Sequence, residues 1–224
     1  MAEKNAERNN KLVIISGFSG SGKSSVLKEL SKIAEYKFSV SATTRQPRNE
    51  EVHGVDYYFL SKDEFLKKIY NCEMLEYMEY SENYYGTFRK PVMEMLESGY
   101  NTVLDIDFRG ALTVKEEFAD AIMIFITPPT YVSLEKRLRS RGTECEEGIR
   151  RRLEISKKEI NYISEYDYFV INEDDKQKEA ALAINAIVNG EKGINQYKVA
   201  KEKLESFMKV YFAKHTAEEN IIKI

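Results

Sequence analysis

A glycine- and serine-rich segment at residues 17–24 constrains the fold of this chain more than any other. It reads Gly-Phe-Ser-Gly-Ser-Gly-Lys-Ser, which fits the pattern G-x-x-x-x-G-K-[ST] at every defined position. The preceding run, Leu12–Ile15, is continuously apolar, as in a strand buried on both faces of a parallel sheet. After the segment, Val26, Leu27 and Leu30 recur at helical spacing. Strand, glycine-rich turn and helix in this order predict a loop whose backbone N–H groups surround a phosphate group.

The side chains of this loop indicate a nucleoside triphosphate and a metal ion as its ligands. The glycines let the backbone curl around one anion, and the helix N-terminus adds the positive end of its dipole. Lys23 is predicted to reach the β- and γ-phosphates, and the hydroxyl of Ser24 to bind Mg²⁺. The predicted triphosphate-binding residues of the loop are Gly17, Ser19, Gly20, Ser21, Gly22, Lys23, Ser24 and Ser25.

Further apolar segments repeat the strand pattern along the chain. They lie at Lys37–Val40, Thr102–Leu104, Ala121–Ile126 and Tyr168–Ile171, and helical patterns fall at about 112–118, 131–140 and 148–163. Alternating strands and helices predict an α/β fold, with a parallel sheet of roughly five strands covered by helices on both faces. We assign residues 11–40 and 91–189 to this core.

The stretch 41–90 interrupts the alternation and is predicted to form an inserted subdomain. It is rich in tyrosine, and its aromatic content is too high for a flexible tether. Strand-like residues occur at 57–60 and 74–80, and Ser61 with Glu64 forms a capping box that opens a short helix.

Charged residues in and after the insert are candidate ligands for anions and for a metal ion. Arg45 and Arg48 flank a stiffening proline, and guanidinium groups bind phosphate through paired hydrogen bonds. Asp105 and Asp107 end a predicted strand, where the ligand-facing residues of an open α/β sheet are expected. Asp105 is therefore the candidate that orders Mg²⁺ or its water molecules, in addition to Ser24.

Five segments follow one another in the order of the signature series of guanylate kinases. They are VSATTRQPR at 40–48, GVDYYF at 54–59, Glu76, NYYGT at 83–87 and LDID at 104–107. The chain resembles that family from near residue 12 to about residue 187. The resemblance implies a P-loop kinase with an inserted GMP-binding subdomain and a mobile helical lid. Such an enzyme uses Mg²⁺ and transfers the γ-phosphoryl group of ATP to GMP, and to dGMP, with ADP and GDP as the products from GMP.

The resemblance also implies which residues bind GMP. The positions that hold its phosphate are Arg45, Arg48, Tyr57 and Tyr85, and those that surround its base are Ser41, Glu76, Thr87 and Asp107. The chemistry is consistent, because guanine presents N1–H and N2–H₂ donors side by side and an ionised carboxylate such as Glu76 accepts both. Adenine offers no such pair of donors, so it would leave the carboxylate unsatisfied.

Residues 137–152 resemble the lid of the same family. The run KRLRSRGTE at 136–144 matches the start of that lid, and Gly142 and Gly148 are the expected hinges. The resemblance implies that three lid arginines meet ATP and the transferred phosphoryl group, so the predicted catalytic residues are Lys23, Arg45, Arg137, Arg141 and Arg152. Asn172 matches a position beside the adenine of ATP.

Two departures from the family pattern and two alternative functions stay open at this point. Arg109 stands where the family usually has Gln, and Phe88 where Pro or Ser is commoner. Some scaffold proteins carry a guanylate kinase-like domain that binds protein partners without catalysis, but these typically lack an intact phosphate-binding loop. A P-loop kinase with another acceptor, such as a ribose bisphosphate, would not need Glu76 together with Ser41 and Thr87.

Composition and the last segment of the chain bear on partners and location. With 34 Lys and Arg against 37 Asp and Glu, the chain is not expected to bind nucleic acid through bulk positive charge. No apolar run approaches the roughly 18 residues of a membrane span, and the two cysteines favour a reducing compartment, so a cytoplasmic protein without membrane contact is expected. Residues 194–224 are predicted as an extra helix of the single domain 1–224, with one apolar stripe. That stripe either packs back on the domain or joins two copies, which predicts a monomer or a homodimer.

Overall fold

The computed structural model describes residues 10–48, 50–80, 82–140, 142, 145–199, 208–209 and 211. The strands within these ranges are β1 (Leu12–Gly17), β2 (Tyr36–Phe38), β3 (Ser41–Thr43), β4 (Tyr58–Phe59), β5 (Met74–Tyr80), β6 (Asn83–Phe88), β7 (Asn101–Asp105), β8 (Ile122–Thr127) and β9 (Tyr168–Ile171). The α-helices are α1 (Lys23–Ile33), α2 (Lys62–Tyr70), α3 (Arg89–Glu97), α4 (Phe108–Glu117), α5 (Tyr131–Ser140), α6 (Glu146–Glu159) and α7 (Gln177–Asn189).

The larger sheet is parallel and has the strand order β2-β7-β1-β8-β9. Its central strand β1 is buried along almost its whole length, as its continuous apolar run predicts. The strands predicted near residues 37, 102, 121 and 168 all belong to this sheet. The predicted α/β fold with a parallel five-stranded sheet is therefore confirmed.

The chain divides into two compact units. The first unit contains the residues up to Ile15 together with Glu35–Ile122, and the second contains Ser16–Ala34 together with the residues from Met123 onward. The insert predicted at 41–90 lies entirely within the first unit, and the lid predicted at 137–152 lies within the second.

The first unit contains a second, mixed sheet with the strand order β4-β3-β6-β5. Strands β3 and β4 are parallel, whereas β6 runs antiparallel to both β3 and β5. Ala42, Phe65 and Met74 form the buried core beneath it. Helix α2 begins with the predicted capping box, in which the Ser61 hydroxyl accepts a hydrogen bond from the backbone N–H of Glu64. Helix α4 begins at Phe108 rather than near residue 112, because the carboxylate of Asp107 caps its first turn.

The second unit packs α1 against α7, with the buried side chains Val26, Leu30 and Ile184 in these two helices. Beyond α7, a 3₁₀-helix spans Ile194–Gln196. After it, the backbone N–H of Phe169 donates to the carbonyl of Tyr197, which lies against edge strand β9.

The helix predicted at 194–224 therefore does not begin at 194. Val199 donates its backbone N–H to Asp167, and Lys198 forms an isolated antiparallel bridge with Tyr168, so these residues extend along β9 instead of coiling. Met208, Lys209 and Tyr211 have helical backbone conformations, and the other residues of the predicted helix beyond Val199 lie outside the described ranges. Within the described part of the chain, no helix is long and apolar enough to cross a membrane.

Candidate active site

The phosphate loop, Gly17–Ser24, joins β1 to α1 in the second unit and allows no side chain at two of its glycines. A Cβ atom at Gly17 would lie 2.3 Å from the carbonyl oxygen of Ile126. Gly22 has a φ of 82°, in the left-handed region, and a Cβ atom there would lie 2.5 Å from Nδ2 of Asn172. Gly22 is also the N-cap residue of α1, and no side chain caps that helix. The loop therefore presents backbone at a helix N-terminus, the arrangement that favours a phosphate group.

Two side chains hold the carbonyl oxygen of Ser21 in the middle of the phosphate loop. Nη1 of Arg137 donates to it at 3.0 Å, and Nδ2 of Asn172 donates to it at 2.8 Å. Arg137 also donates from Nη2 to the carbonyl of Asn172 at 2.7 Å, and it bonds Oδ1 of Asp174 at 2.7 and 3.0 Å. We call this arrangement of Arg137, Asn172 and Asp174 the Ser21 clamp. It connects helix α5 and the segment after β9 to the phosphate loop.

The lid predicted at 137–152 contains the last four residues of α5, the segment that follows it and the first half of α6. Arg152 on α6 donates a hydrogen bond from Nη1 to the hydroxyl of Ser19, so it too reaches the phosphate loop. Arg141 lies outside the described residues, whereas Gly142 is described and has a φ of 62°. Arg137 and Arg152 are therefore brought to the same loop from two different helices.

The other described lid arginines pair with glutamates in the lid or just before it. Arg139 bonds Glu135 and Glu146 on the exposed surface. The guanidinium groups of Arg150 and Arg151 each lie 3.6 Å from a glutamate one helical turn away. Exposed pairs of this kind contribute little stability, and these three arginines belong to the solvated face of the lid.

In the first unit, three of the residues predicted to surround the guanine base lie side by side on adjacent strands. The register pairs Ser41 of β3 with Thr87 of β6, and Thr87 with Glu76 of β5. The Thr87 hydroxyl donates to Oε1 of Glu76 at 2.7 Å, and Glu76 is only 4% exposed. Gly110 of α4 lies so close that a Cβ atom there would be 2.4 Å from Oε2 of Glu76. We call Ser41, Glu76 and Thr87 the base cluster.

Burial dominates the electrostatics of the base cluster. Burial raises the pKa of Glu76, the hydrogen bond from Thr87 lowers it, and the negative charge of nearby Asp107 raises it, which together place it at about 7. Glu76 is therefore charged above neutral pH and protonated below it. This carboxyl group can accept from two donors when it is charged, and it changes its protonation state in the physiological range.

Asp107, also predicted at the base, is held by helix α4. Its Oδ1 accepts hydrogen bonds from the backbone N–H groups of Arg109 and Gly110 at 3.1 and 3.0 Å, and its Oδ2 accepts from Nε of Arg109 at 3.1 Å. Arg109, the residue that departs from the family pattern, is thus the ionic partner of Asp107 in this structure.

The predicted GMP-phosphate residues are arranged around an ion pair that the sequence did not indicate. Arg45 donates to both carboxylate oxygens of Glu51, at 2.8 and 3.0 Å, and the backbone N–H of Arg48 donates to the same carboxylate at 2.7 Å. The Arg45 guanidinium lies 5.3 Å from the ring centre of Tyr57, whose ring is 6.4 Å from that of Tyr85. The hydrogen bonds from Arg45 and then from Arg48 lower the pKa of Glu51 to about 2, so Glu51 stays ionised.

Known proteins of one family match this chain in sequence and in fold. The sequence model of the family named Guanylate kinase matches residues 9–189. The guanylate kinase of Clostridium tetani is 48% identical over 181 residues, which cover 81% of this chain and 86% of that protein. The guanylate kinase of Clostridium acetobutylicum is 47% identical with the same coverage. The crystal structure of guanylate kinase from Anaplasma phagocytophilum is 30% identical and superposes with a TM-score of 0.67, over 87% of this chain and 93% of that one.

The chain belongs to the guanylate kinase family. The predicted family, its P-loop kinase fold and its class of reaction, phosphoryl transfer by a nucleoside monophosphate kinase, are thereby confirmed.

As a guanylate kinase family member, the chain also offers suitable groups for a magnesium ion. Ser24 lies exposed in the first turn of α1, and Asp105 is half-buried at the end of β7. Hydroxyl and carboxylate oxygens are the hard ligands that Mg²⁺ prefers, and few of them suffice because the ion keeps several waters and binds substrate phosphates.

Two residues of this guanylate kinase family site escaped the sequence reasoning. Glu51 and Asp174 each pair with an arginine that had been assigned to a substrate. The one available signal was their proximity in sequence to other assigned residues, since Glu51 follows Arg48 closely and Asp174 follows Asn172. Whether these carboxylates pair with the arginines depends on the conformation of the loops, and the periodicity of apolar residues does not predict that conformation.

Proposed function

We propose that this chain catalyses the reversible, Mg²⁺-dependent transfer of the γ-phosphoryl group of ATP to GMP, and to dGMP, with ADP and GDP as the products from GMP. No covalent enzyme intermediate is needed, since a phosphate oxygen of the acceptor attacks the γ-phosphorus in line. The residues predicted to bind ATP lie in the second unit, and those predicted to bind GMP lie in the first.

The buried base cluster is the observation that carries the choice of guanine. When Glu76 is ionised, its two oxygens can accept the N1–H and N2–H₂ donors of guanine. The Ser41 hydroxyl can donate to O6, and so can the Thr87 hydroxyl if it turns away from Glu76. With an adenine base, a carboxylate that is 4% exposed would have the Thr87 hydroxyl as a donor but no donors from the base for its charge. Sites built around a hydrogen bond to a substrate donor reject analogues that lack the donor by about 10⁴-fold or more.

On the donor side, the phosphate loop supplies the backbone for the ATP phosphates, and Lys23 supplies a positive charge at the start of α1. Arg137, Arg141 and Arg152 are the proposed groups that stabilise the charge of the transferred phosphoryl group, with Arg45 on the acceptor phosphate. Asn172 supports an adenine position nearby, because its buried Oδ1 has no hydrogen-bond donor within the described residues and can accept from the adenine amino group.

The metal ion is proposed to bind through Ser24 and, directly or through water, Asp105. A Mg²⁺ ion held by these residues would supply positive charge that offsets the negative charge on the phosphates during the transfer. Ser24 would contribute a neutral hydroxyl and Asp105 a carboxylate, both of them oxygen ligands of the kind that Mg²⁺ prefers.

An acceptor panel tests the proposal. Release of ADP from MgATP is measured with GMP, dGMP, AMP, UMP and CMP, for the wild type and for Lys23→Ala. We expect turnover with the two guanine nucleotides alone, and a loss of at least about 10³-fold in kcat in the variant. Lys28→Ala, an exposed position on the same helix, is the matched control and should behave as the wild type. A wild type that gives no ADP above the Lys23→Ala background would point to a binding module instead.

The second alternative, another phosphoryl acceptor, is separated by Glu76→Ala. If the true acceptor is a sugar phosphate, that variant should keep the activity of the wild type towards it, because no base is recognised. If the base cluster selects guanine, activity with GMP falls steeply. Undiminished activity of Glu76→Ala with GMP would contradict the role proposed for the cluster.

We also propose the organisation that the sequence predicts: a core at 11–40 and 91–189, a GMP-binding insert at 41–90 and a lid at about 137–152. A monomer or homodimer without nucleic acid or membrane partners, located in the cytoplasm, is the expected state. Light scattering of the full chain and of a variant that lacks residues 191–224 gives the mass of each. An unchanged mass with lowered stability supports packing of the last segment on the domain, whereas a halved mass supports self-association.

A further inference from the structure

Tyr211 lies outside the family match, which ends at residue 189, and yet it is buried at the phosphate loop. Its side chain is 1% exposed, the largest of the fully buried side chains in the described residues. Burial also raises the pKa of its phenol far above its ordinary value, so the side chain is neutral at all relevant pH values.

The ring of Tyr211 packs on a residue of the phosphate loop itself. Its centre is 5.8 Å from that of Phe18, which is 1% exposed and occupies the second position of the loop. Phe18 in turn packs edge-to-face on Phe125 of β8 at 4.9 Å. The carbonyl of Phe18 accepts the backbone N–H of Ser21 at 2.9 Å, which closes the turn of the loop. The side chain that Tyr211 contacts is therefore attached to the backbone that shapes the phosphate site.

The same ring also packs on the helix that carries part of the Ser21 clamp. Tyr131, the first residue of α5, lies edge-to-face with Tyr211 at 6.1 Å between ring centres. Two turns further along α5, Arg137 donates to the carbonyl of Ser21. Tyr211 thus packs directly on Phe18 of the phosphate loop. It also packs on helix α5, whose Arg137 bonds the same loop at Ser21.

We propose that Tyr211 is a positioning residue for ATP: it fixes Phe18 and α5 so that the phosphate loop keeps its binding conformation. The inference rests on the proposed binding of ATP by that loop. Aromatic contacts at these distances add stability beyond the area they bury. The contact with Phe18 holds the loop itself, and the contact with Tyr131 holds helix α5. Replacement of the ring therefore weakens ATP binding specifically, in addition to any loss of folding stability.

The test compares the two substrates in Tyr211→Ala, Tyr211→Phe and the matched control Tyr70→Ala, which removes a tyrosine that is 88% exposed. For each variant, kcat, KM for ATP, KM for GMP and the Tm are measured, together with the Kd of a nonhydrolysable ATP analogue. We expect Tyr211→Ala to raise KM and Kd on the ATP side by about tenfold, with KM for GMP within about twofold of the wild type. Tyr211→Phe keeps the ring and restores ATP binding, and Tyr70→Ala changes neither constant.

A purely structural role would lower the Tm of Tyr211→Ala and leave the KM for ATP of the folded protein unchanged, and this result would overturn the proposal. An equal rise in both KM values would overturn it as well. If Tyr211→Ala is insoluble, Tyr211→Leu fills the space without a ring and is judged by the same two-substrate comparison. An inactive wild type would instead refute the proposed function, so the two failures are distinct.

Discussion

The two units hold their predicted ligand-binding groups by different means. In the first unit, Glu76 and Thr87 are cross-strand neighbours, so the backbone pairing of β5 and β6 sets their relative position. In the second unit, the carbonyl of Ser21 is held by long side chains that come from α5 and from the segment after β9. A sheet register shifts only as a whole, whereas a side-chain clamp is lost one bond at a time. We therefore expect single substitutions in the first site to change which groups it can bind while its geometry persists. In the second site, we expect them to remove hydrogen bonds that hold the loop in place.

Both units nevertheless share one device. In each, an arginine assigned to a phosphate is paired with a carboxylate in this structure: Arg45 with Glu51, and Arg137 with Asp174. A carboxylate offers a guanidinium two acceptor oxygens in a plane, as a phosphate does. The pairs keep both arginines hydrogen-bonded to a carboxylate, which a substrate phosphate would have to share or replace.

The largest effect is expected from Glu76→Gln, which removes the negative charge of the base cluster and keeps the size of the side chain. The amide places an N–H₂ group against the donors of guanine, while its oxygen can still accept from Thr87. We expect kcat/KM for GMP to fall by about 10³-fold or more, measured by ADP release. An unchanged KM for ATP is the internal control, since the phosphate loop is untouched.

Stability provides the control that separates lost recognition from lost folding. The folded pKa of Glu76, about 7, lies above its ordinary value of 4.5, so the wild type is fully stabilised by this group below 4.5 and loses that stability as the pH rises through 7. Glu76→Gln does not titrate. Its Tm relative to the wild type should therefore rise between pH 5 and pH 8, and a fall over that range would contradict the assigned pKa.

The next effect in size is expected from Arg137→Ala, which breaks the Ser21 clamp. It removes the hydrogen bonds to the carbonyls of Ser21 and Asn172, so the loop loses one of its supports and ATP loses a proposed ligand. We expect kcat/KM for ATP to fall by about 10²-fold with little change in KM for GMP. Arg139→Ala on the same helix removes only surface pairs and should leave both constants at wild-type values. Equal losses in the two variants would show that general lid charge, rather than the clamp, matters.

The two sheets differ in how well the sequence predicts them. The five parallel strands and the phosphate loop were predictable, because continuous apolar runs and a spaced glycine pattern are local features. The three-residue strand β3 and strand β6 were not, since their residues read as a ligand-binding segment rather than as an alternating strand. Their pairing is what places Ser41, Thr87 and Glu76 at one register.

Partner choice was the part that sequence reasoning did not reach. The resemblance names Arg45 and Arg137, but nothing local shows that Glu51 and Asp174 bond them. Likewise, the apolar stripe near the end of the chain left open whether it faces the domain or a second copy. Among the described residues of that stripe, Tyr211 is buried against Phe18, which favours the domain. Such contacts depend on tertiary structure and produce no periodic pattern in the sequence.

A moderate effect is expected from pH on the wild type. Because burial holds the pKa of Glu76 near 7, the KM for GMP should be flat above that pH and rise by about tenfold per pH unit below it. The phosphate of GMP itself titrates near pH 6, so the break is read between pH 6.5 and 8. KM for ATP, measured over the same range, is the control. A KM for GMP that stays flat from pH 8 down to pH 6.5 would show that Glu76 is not desolvated as the structure indicates.

The smallest effect is expected from Glu51→Gln, which weakens the arginine pair of the first unit. The hydrogen bonds from Arg45 are the main cause of the lowered pKa of Glu51, about 2, so its contribution to stability is present above 4.5 and is lost as the pH falls through 2. We expect Glu51→Gln to lower the free energy of unfolding at pH 7 by about 1 kcal/mol, measured in urea, and by less at pH 3.

The equivalent change in the second unit, Asp174→Asn, sharpens the comparison of the two pairs. The side chain of Asp174 is 60% exposed, against 20% for Glu51, and water therefore competes more strongly for its bond to Arg137. The loss of unfolding free energy should be smaller than for Glu51→Gln, because Arg137 keeps its bonds to the carbonyls of Ser21 and Asn172. A larger loss in Asp174→Asn would mean that the Ser21 clamp depends on its carboxylate, and that the looser of the two sites is held chiefly by charge.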